Sequence, residues 1–344
     1  MRQLQPTQKP DPQQIMQLAG GYVFSAVLNA IVQADVADHL ECGPRPVSEL
    51  AKATGTNEDA LFRMLRLLVT VGVFEETGSR IFGLTPSGHL LRNNHPMSMR
   101  DMTAFFCDPF HMRIYADLDE SLRSGRPAAE KTFGMPVFEY FAKNPEYSAI
   151  FNRAMTNLSA SIIPAVIEAY DFSGIDTLVD VGGGHAQVLI SILKAYPSMR
   201  GILVDLGHVI EGAKTRITES GLTGRLQTVP GDFFQSIPAT GDAYIMKHII
   251  HDWNDERATV ILRNIRTAIG DAPAKLLLLE GVVESGSVPD MRKILDIEML
   301  AIPGGRERTE EEFAALFAAA GFALKSITRT KSSICVIEAA PTRH

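Results

Sequence analysis

The chain has 344 residues, with 33 Lys and Arg against 40 Asp and Glu for a net charge of −7; apolar residues make up 45% and charged residues 21%. That usage excludes disordered, collagen-like and coiled-coil classes, and the length fits two domains or one large one. The acidic balance argues against bulk nucleic-acid or anionic-membrane partners, and three scattered cysteines (Cys42, Cys107, Cys335) suit a reducing cytosol better than a disulfide scaffold or zinc cluster.

The opening residues, MRQLQPTQKPDPQQ, lack the apolar core of a signal peptide, so a cytoplasmic protein is expected. The uncharged run Pro12–Ala34 is long enough to span a bilayer. Its glutamines and the Gly20-Gly21 pair instead predict a buried helix and no membrane partner. Ser48 is placed to cap a short helix closed by Gly55, and Asn57 to cap the next. In that second helix Leu61, Met64, Leu65, Leu68 and Val69 recur at helical spacing. Two short strands at 73–74 and 81–84 then flank a turn at Thr77-Gly78. This helix–turn–helix–hairpin order is a winged-helix layout. Its six basic residues against five acidic ones between Arg45 and Arg92 are no footprint for DNA, so a structural or dimerisation role is expected.

Residues 97–170 read as helices punctuated by Pro109, Gly125-Arg126-Pro127 and Pro136. Their dense aromatics and methionines, Phe151 and Met155 among them, either pack helices or line an apolar pocket for a flat substrate. From Thr177 onward strands alternate with helices. Strand candidates lie at 177–181, 201–205, 226–229, 243–246, 276–280, 324–328 and 333–338. Such alternation predicts an open, mostly parallel α/β sheet with helices on both faces. The short link at 329–332 makes the last two strands an antiparallel hairpin and so predicts a reversed edge strand.

The chemistry-bearing residues fall at strand ends. After the first strand comes Asp180-Val181-Gly182-Gly183-Gly184, where glycines let a ligand approach the backbone at a helix start. Gln187 stands where a dinucleotide fingerprint requires glycine, so a pyrophosphate site is disfavoured and Asp180 suits a small polar group. Asp205 ends the second strand, where a carboxylate grips a ribose diol. Asp232 follows the third, placed to accept from an adenine amino group with Phe233 against the ring. Lys247, His248, His251 and Trp253 crowd the end of the fourth. His251 is the candidate general base, because an ordinary histidine pKa near 6.5 suits proton removal near neutrality. His248 reads as packing, and no Cys or carboxylate set at zinc spacing accompanies the pair, so no metal is expected. Glu280 follows four leucines and must face a cleft. Glu307 either is a solvated charge or reaches the cleft to hold a histidine ring. Thr309 and Glu312 have capping-box spacing.

DVGGG (180–184), GDFF (231–234), KHIIHDWND (247–255) and GGRERTEEEF (304–313) together resemble the S-adenosylmethionine-dependent O-methyltransferases of the caffeate and hydroxyindole type, whose bacterial members modify aromatic natural products. The resemblance covers nearly the whole chain. It implies a Rossmann-like class I methyltransferase domain over 110–344, with a helical linker at 110–170, and a winged-helix-like dimerisation domain over 1–109. It further implies that Asp180, Gly182 and Gly184 cradle the methionine part of S-adenosyl-L-methionine, Asp205 its ribose, and Asp232 with Phe233 its adenine. Lys247 would meet its polar tail, and Ser159 would add a hydrogen bond. His251 matches the catalytic base, Glu280 and Glu307 the flanking carboxylates, and Phe151, Met155, Met299 and Ile302 the acceptor pocket. Ala186 departs from the usual glycine, and Ile302 stands where plant members often carry a polar residue.

The expected activity is methyl transfer to a hydroxyl oxygen of a small phenolic or polyketide-like acceptor by a homodimer. One alternative is a same-fold enzyme with decarboxylating or hydroxylating chemistry, against which His251, Glu280 and Glu307 argue. Another is a ligand-responsive winged-helix regulator, against which the near-neutral 45–92 region argues.

Overall fold

Asp11 opens the first helix of the computed structural model, which describes residues 11–342. Its carboxylate accepts from the backbone N–H of Gln13 and Gln14 (3.0 and 3.3 Å), satisfying donors that a helix start leaves free. The expected single buried helix is corrected on both counts. Helix α1 (Pro12–Ala19) stops at Gly20, and α2 (Gly21–Gln33) starts anew. No residue of α1 is buried, and Ile15, Met16, Leu18 and Tyr22 are 64% to 72% exposed. Only Ile31 and Val32 of α2 are buried. The physical reason is that the apolar face has nothing to pack against among the described residues. By length and composition alone, Pro12–Gln33 is apolar enough to cross a membrane.

Next come β1 (Arg45–Pro46), α3 (Val47–Thr54), α4 (Glu58–Val69), β2 (Phe74–Gly78) and β3 (Ile81–Leu84), in the expected helix–helix–hairpin order. The short β1 adds a third strand, giving an antiparallel sheet of order β1-β3-β2. Asn57 caps α4 through its side chain, which accepts from Ala60 N at 3.0 Å. Ser48 caps nothing: it lies in the first turn of α3, which starts directly after Pro46. The hairpin turn falls at Ser79-Arg80, not Thr77-Gly78, with Arg80 at φ 56°. Leu50, Leu65, Phe74 and Phe82 form the core of this part. Helix α5 (Arg100–Phe106) follows, and the chain divides into two compact units between Met112 and Arg113.

Helix α6 (Pro109–Ala116) contains that division. Helices α7 (Leu118–Ser124), α8 (Ala128–Phe133), α9 (Val137–Lys143) and the 25-residue α10 (Pro145–Ala169) come next. Gly125 and Gly134 end α7 and α8 in the left-handed conformation that favours glycine (φ 70° and 71°).

The remaining elements are β4 (Thr177–Val181), α11 (Gln187–Ala195), β5 (Arg200–Asp205), α12 (Gly207–Glu219), β6 (Leu226–Pro230), β7 (Ala243–Lys247), α13 (Asp255–Ile269), β8 (Lys275–Glu280), α14 (Met291–Ala301), α15 (Glu310–Ala319), β9 (Phe322–Arg329) and β10 (Cys335–Pro341). They build a seven-stranded sheet of order β6-β5-β4-β7-β8-β10-β9. Side chains alternate between its faces, as pleating requires. Ala243 and Ile245 pack with Leu277, Leu279 and Leu189; Tyr244 and Met246 pack with Leu276, Leu278 and Ile261. One detail differs from the expected reversed edge. The reversed strand is β10, antiparallel to both neighbours and one place in from the edge. Its Cys335, Val336, Ile337 and Ala339 are buried, whereas β9 exposes Lys325, Ser326 and Arg329. The apolar strand takes the covered position and the charged one the edge.

Five parallel strands thus present their carboxyl ends at one rim, and the strand order reverses between β4 and β7. That switch point opens the crevice where α/β sheets hold ligands.

Candidate active site

At the end of β4 the backbone turns through Gly182 (φ 73°) and Gly184 (φ 58°) into α11. A Cβ on Gly183 would sit 2.4 Å from Asp180 Oδ2 and 2.7 Å from Leu203 Cδ1, so only glycine lets the loop lie over Asp180. A Cβ on Gly184 would meet nothing within 4 Å, so its side of the loop is open. Asp180 is buried, and neither carboxylate oxygen has a hydrogen-bond partner among the described residues. Burial and the charge of Asp205 push it up to about 7, with Lys247 opposing. Asp205, at the end of β5, accepts from Gly184 N (2.8 Å) and Leu206 N (2.7 Å). Burial raises it while those two N–H groups pull it down. A carboxylate has about four acceptor sites, so it keeps capacity for a diol. After β6, Gly231 N donates to Asp205 O (2.9 Å) and Asp232 accepts from Phe234 N (2.9 Å). The Phe233 ring reaches back to 3.4 Å from a Cβ on Gly182.

The strand ends of β7 and β8 carry a second, tighter cluster. Lys247 Nζ lies 3.2 Å from His248 Nδ1. Burial pulls Lys247 down to about 8 against the charges of Glu280, Asp180 and Asp252. His248 sits at φ 52°, a conformation few side chains adopt, and stacks on His251 with centroids 4.9 Å apart. Burial and the neighbouring Lys247 hold His248 well below the usual histidine range. His251 follows in a single 3₁₀ turn, Ile250–Asp252. Its Nδ1 lies 2.7 Å from Glu307 Oε1 and 3.7 Å from Glu280 Oε2, and its Nε2 lies 3.5 Å from Asp252 Oδ1. Burial disfavours the imidazolium, but the charge of Glu280, the bond to Glu307 and the charge of Asp252 hold it up to about 9. Glu280 is fully buried, accepts from Ile249 N and Ile250 N (3.0 and 2.9 Å), and is raised chiefly by burial.

The loop after α14 closes this cluster. Met299 O accepts from Gly304 N and Gly305 N (2.9 and 3.0 Å). Gly305 backs so closely on the turn that a Cβ there would lie 1.9 Å from His251 O, and Arg306 N donates to that same oxygen at 2.8 Å. Glu307 is therefore buried and facing the histidine, with its backbone N–H on Asp296 Oδ1 (2.9 Å). The capping box at Thr309 and Glu312 forms as expected and starts α15 immediately afterwards.

Asp180, the glycine loop, Asp205 and Phe233 thus come together, as do Lys247, His251, Glu280 and Glu307. Met299 is tied to them by the loop hydrogen bonds, and Ile302 is buried beside it. Phe151 stacks on Phe141 (5.0 Å) within the α9–α10 helices, with Met155 one turn further on. Ser159 spends its hydroxyl proton on Met155 O (2.7 Å), leaving only lone pairs for any other partner. Asp252 and Arg308 were not singled out by the sequence. Asp252 was hidden because only the 3₁₀ turn brings two successive side chains to one cluster. Burial pushes it up to about 7, with His251 opposing. Arg308, which follows Glu307 in the charged run 306–308, is 1% exposed. No group of three or more His, Cys, Asp or Glu among the described residues is arranged to hold a metal ion.

A family profile described as an O-methyltransferase domain matches residues 115–323, and one described as an O-methyltransferase dimerisation domain matches 16–94. The chain is 41% identical over 327 residues to a phenazine O-methyltransferase of Lysobacter antibioticus, covering 95% of each. It is 35% identical to an 8-amino-8-demethylriboflavin N,N-dimethyltransferase of Streptomyces davaonensis, covering 97% of each. The crystal structure of a methyltransferase of calicheamicin biosynthesis, in its SAH-bound form, superposes with a TM-score of 0.87 at 34% identity, over 97% of this chain and 100% of that one.

Proposed function

The chain belongs to the S-adenosylmethionine-dependent O-methyltransferases acting on small aromatic metabolites, and from that premise we propose that His251 is its general base for a phenolic or polyketide-like hydroxyl. The observation that carries the reading is the 2.7 Å contact between His251 Nδ1 and Glu307 Oε1. A proton held on Nδ1 by that carboxylate leaves the lone pair on Nε2, where an acceptor hydroxyl delivers its proton. Glu307 and Glu280 then stabilise the imidazolium, the role a carboxylate plays behind other catalytic histidines.

The residues of the glycine loop fit the cofactor. The unpartnered Asp180 oxygens, the open side of Gly184 and the spare acceptor sites of Asp205 match an ammonium, a backbone-held carboxylate and a ribose diol. Gly182, Gly184 and Asp180 would hold the methionine part, Asp205 the ribose, Asp232 and Phe233 the adenine, and Lys247 the polar tail. Ser159 would contribute as an acceptor. S-adenosylmethionine supplies, when bound, a methyl group already activated on a sulfonium sulfur, so alignment and proton removal are what the protein must add. Positive charge at the glycine loop favours the neutral form of His251, the form that accepts a proton. Phe151, Met155, Met299 and Ile302 would line the acceptor pocket, and residues 1–109 would form the homodimer contact of a cytoplasmic enzyme, with 110–344 the catalytic domain.

Oxygen is favoured over nitrogen by the buried base. A phenol must lose its proton to become a good nucleophile, whereas an aryl amine attacks through its lone pair. The test is incubation with carbon-13-methyl S-adenosylmethionine and a panel of hydroxyarenes and aryl amines, read by the chemical shift of the new methyl. O-methyl products are expected, with kcat falling roughly 10²–10⁴-fold in His251→Ala while cofactor binding persists. N- or C-methyl products would overturn the oxygen assignment, and full activity in the variant would overturn the base.

A further inference from the structure

Arg308 ties together the three segments that carry His251, Glu280 and Glu307, although it touches none of those side chains. Its guanidinium is 1% exposed. Nη1 donates to Ile250 O (3.1 Å) and Nη2 to Trp253 O (2.9 Å), one on each side of the His251 turn. Nε and Nη2 both donate to Asp255 Oδ1 (3.0 and 2.7 Å) at the start of α13, and Nη1 also approaches Arg306 O (3.4 Å). Its backbone continues the same tie. Arg308 pairs with Val282 in an isolated parallel bridge just beyond Glu280, and Val283 N donates to Arg308 O at 2.9 Å. Glu307, the adjacent residue, therefore has its position relative to the His251 ring set by Arg308.

The chemistry of the guanidinium explains why this position needs arginine. A buried charge is tolerated only when its donors are matched, and here a planar fork of five N–H groups meets three carbonyls and one carboxylate at fixed angles. Lysine carries the same charge but has three donors around one atom and cannot span both sides of the turn. The neighbouring Arg306 makes only partly exposed ion pairs, to Asp255 and Glu312.

We propose that Arg308 is a positioning residue for the reaction: its fork holds the His251 turn in register with the Glu307 loop. The proposal rests on the reading of His251 as base, but its first readout does not. Because Arg308→Lys preserves charge, it isolates geometry. Histidine-labelled protein titrated by NMR should show the His251 imidazole pKa falling by about one unit, as the opposite charge of Glu307 withdraws. In kinetics, kcat should fall by up to roughly 10²-fold, the effect of a misplacement near 1 Å, with KM for S-adenosylmethionine unchanged. Asp255→Asn, which keeps an acceptor oxygen for the fork but removes the charge of its exposed anchor, should shift both quantities in the same direction by less. An unchanged His251 pKa in folded Arg308→Lys and Asp255→Asn overturns the proposal. So does a kcat loss matched by a loss of cofactor binding and melting temperature, which marks a purely structural arginine. If His251→Ala retains activity while Arg308→Lys still lowers the imidazole pKa, the base assignment fails and the positioning of the pair stands.

Discussion

His251 Nδ1 and Glu307 Oε1 lie 2.7 Å apart across 56 residues of chain, and Oε2 of the buried Glu280 lies 3.7 Å from the same nitrogen. This pairing sets the protonation behaviour of the ring. Glu307→Gln keeps an acceptor for Nδ1–H but removes the charge. A charge-assisted hydrogen bond is worth roughly 1.5–3 kcal/mol, so kcat should fall about 10–100-fold. A base works only when deprotonated, so activity rises with pH through its pKa. That pKa, held up to about 9 by its carboxylates, should drop in the variant and move the rising limb of kcat/KM to lower pH. A limb that does not move would assign the titration to another group.

The glycine loop offers a paired test of the cofactor site. Gly183→Ala drives a methyl group to 2.4 Å from Asp180 Oδ2 and 2.7 Å from Leu203, so the loop must lift. Binding of S-adenosylhomocysteine, measured by calorimetry, should weaken at least tenfold. Gly184→Ala meets no atom of the protein and costs about 1–2 kcal/mol of left-handed backbone penalty at φ 58°, but its methyl enters the open side that the cofactor would fill, so it should weaken binding without moving the loop. Undiminished affinity in both variants would refute the cradle.

Burial pushes Asp180 and Asp252 to about 7. A group whose folded pKa is raised contributes stability that is complete below its unfolded pKa, near 3.9, and is lost as pH rises through the folded value. Asp180→Asn is neutral throughout. Its melting temperature relative to the wild type should therefore increase between pH 4 and pH 8. A constant difference across that range would mean that Asp180 does not titrate there.

The bare face of α1 bears on assembly. Leu18 is 72% exposed, so Leu18→Glu should leave the single chain folded. Burying that unpaired carboxylate in a subunit contact would cost on the order of several kcal/mol, and light scattering should show dissociation at concentrations where the wild type is dimeric. An undiminished dimer would place the contact elsewhere within residues 16–94.

Much of the molecule was legible in the order of its residues, because the signals are local. The alternation of Ala243 to Met246, the glycines after Asp180, the carboxylates at the ends of β5 and β8 and the capping box at Thr309 each depend on a few neighbours along the chain. Strand-end residues must share a rim once the strands run parallel, so the site's membership followed from the fold class.

What only the tertiary structure decided depends on which surfaces meet. The order in which β9 and β10 joined the sheet turned on which of them could be covered on both faces. The exposure of α1 turned on the absence of a packing partner among the described residues, which composition does not report. Glu307 and Arg308 are adjacent charges that look alike in sequence. One faces a histidine and the other clamps its turn, because Gly305 lets the loop press against His251 O. Residue types and spacing determined which chemistry was available. Long-range packing determined which charges were stripped of water, and burial is what gives those charges their strength.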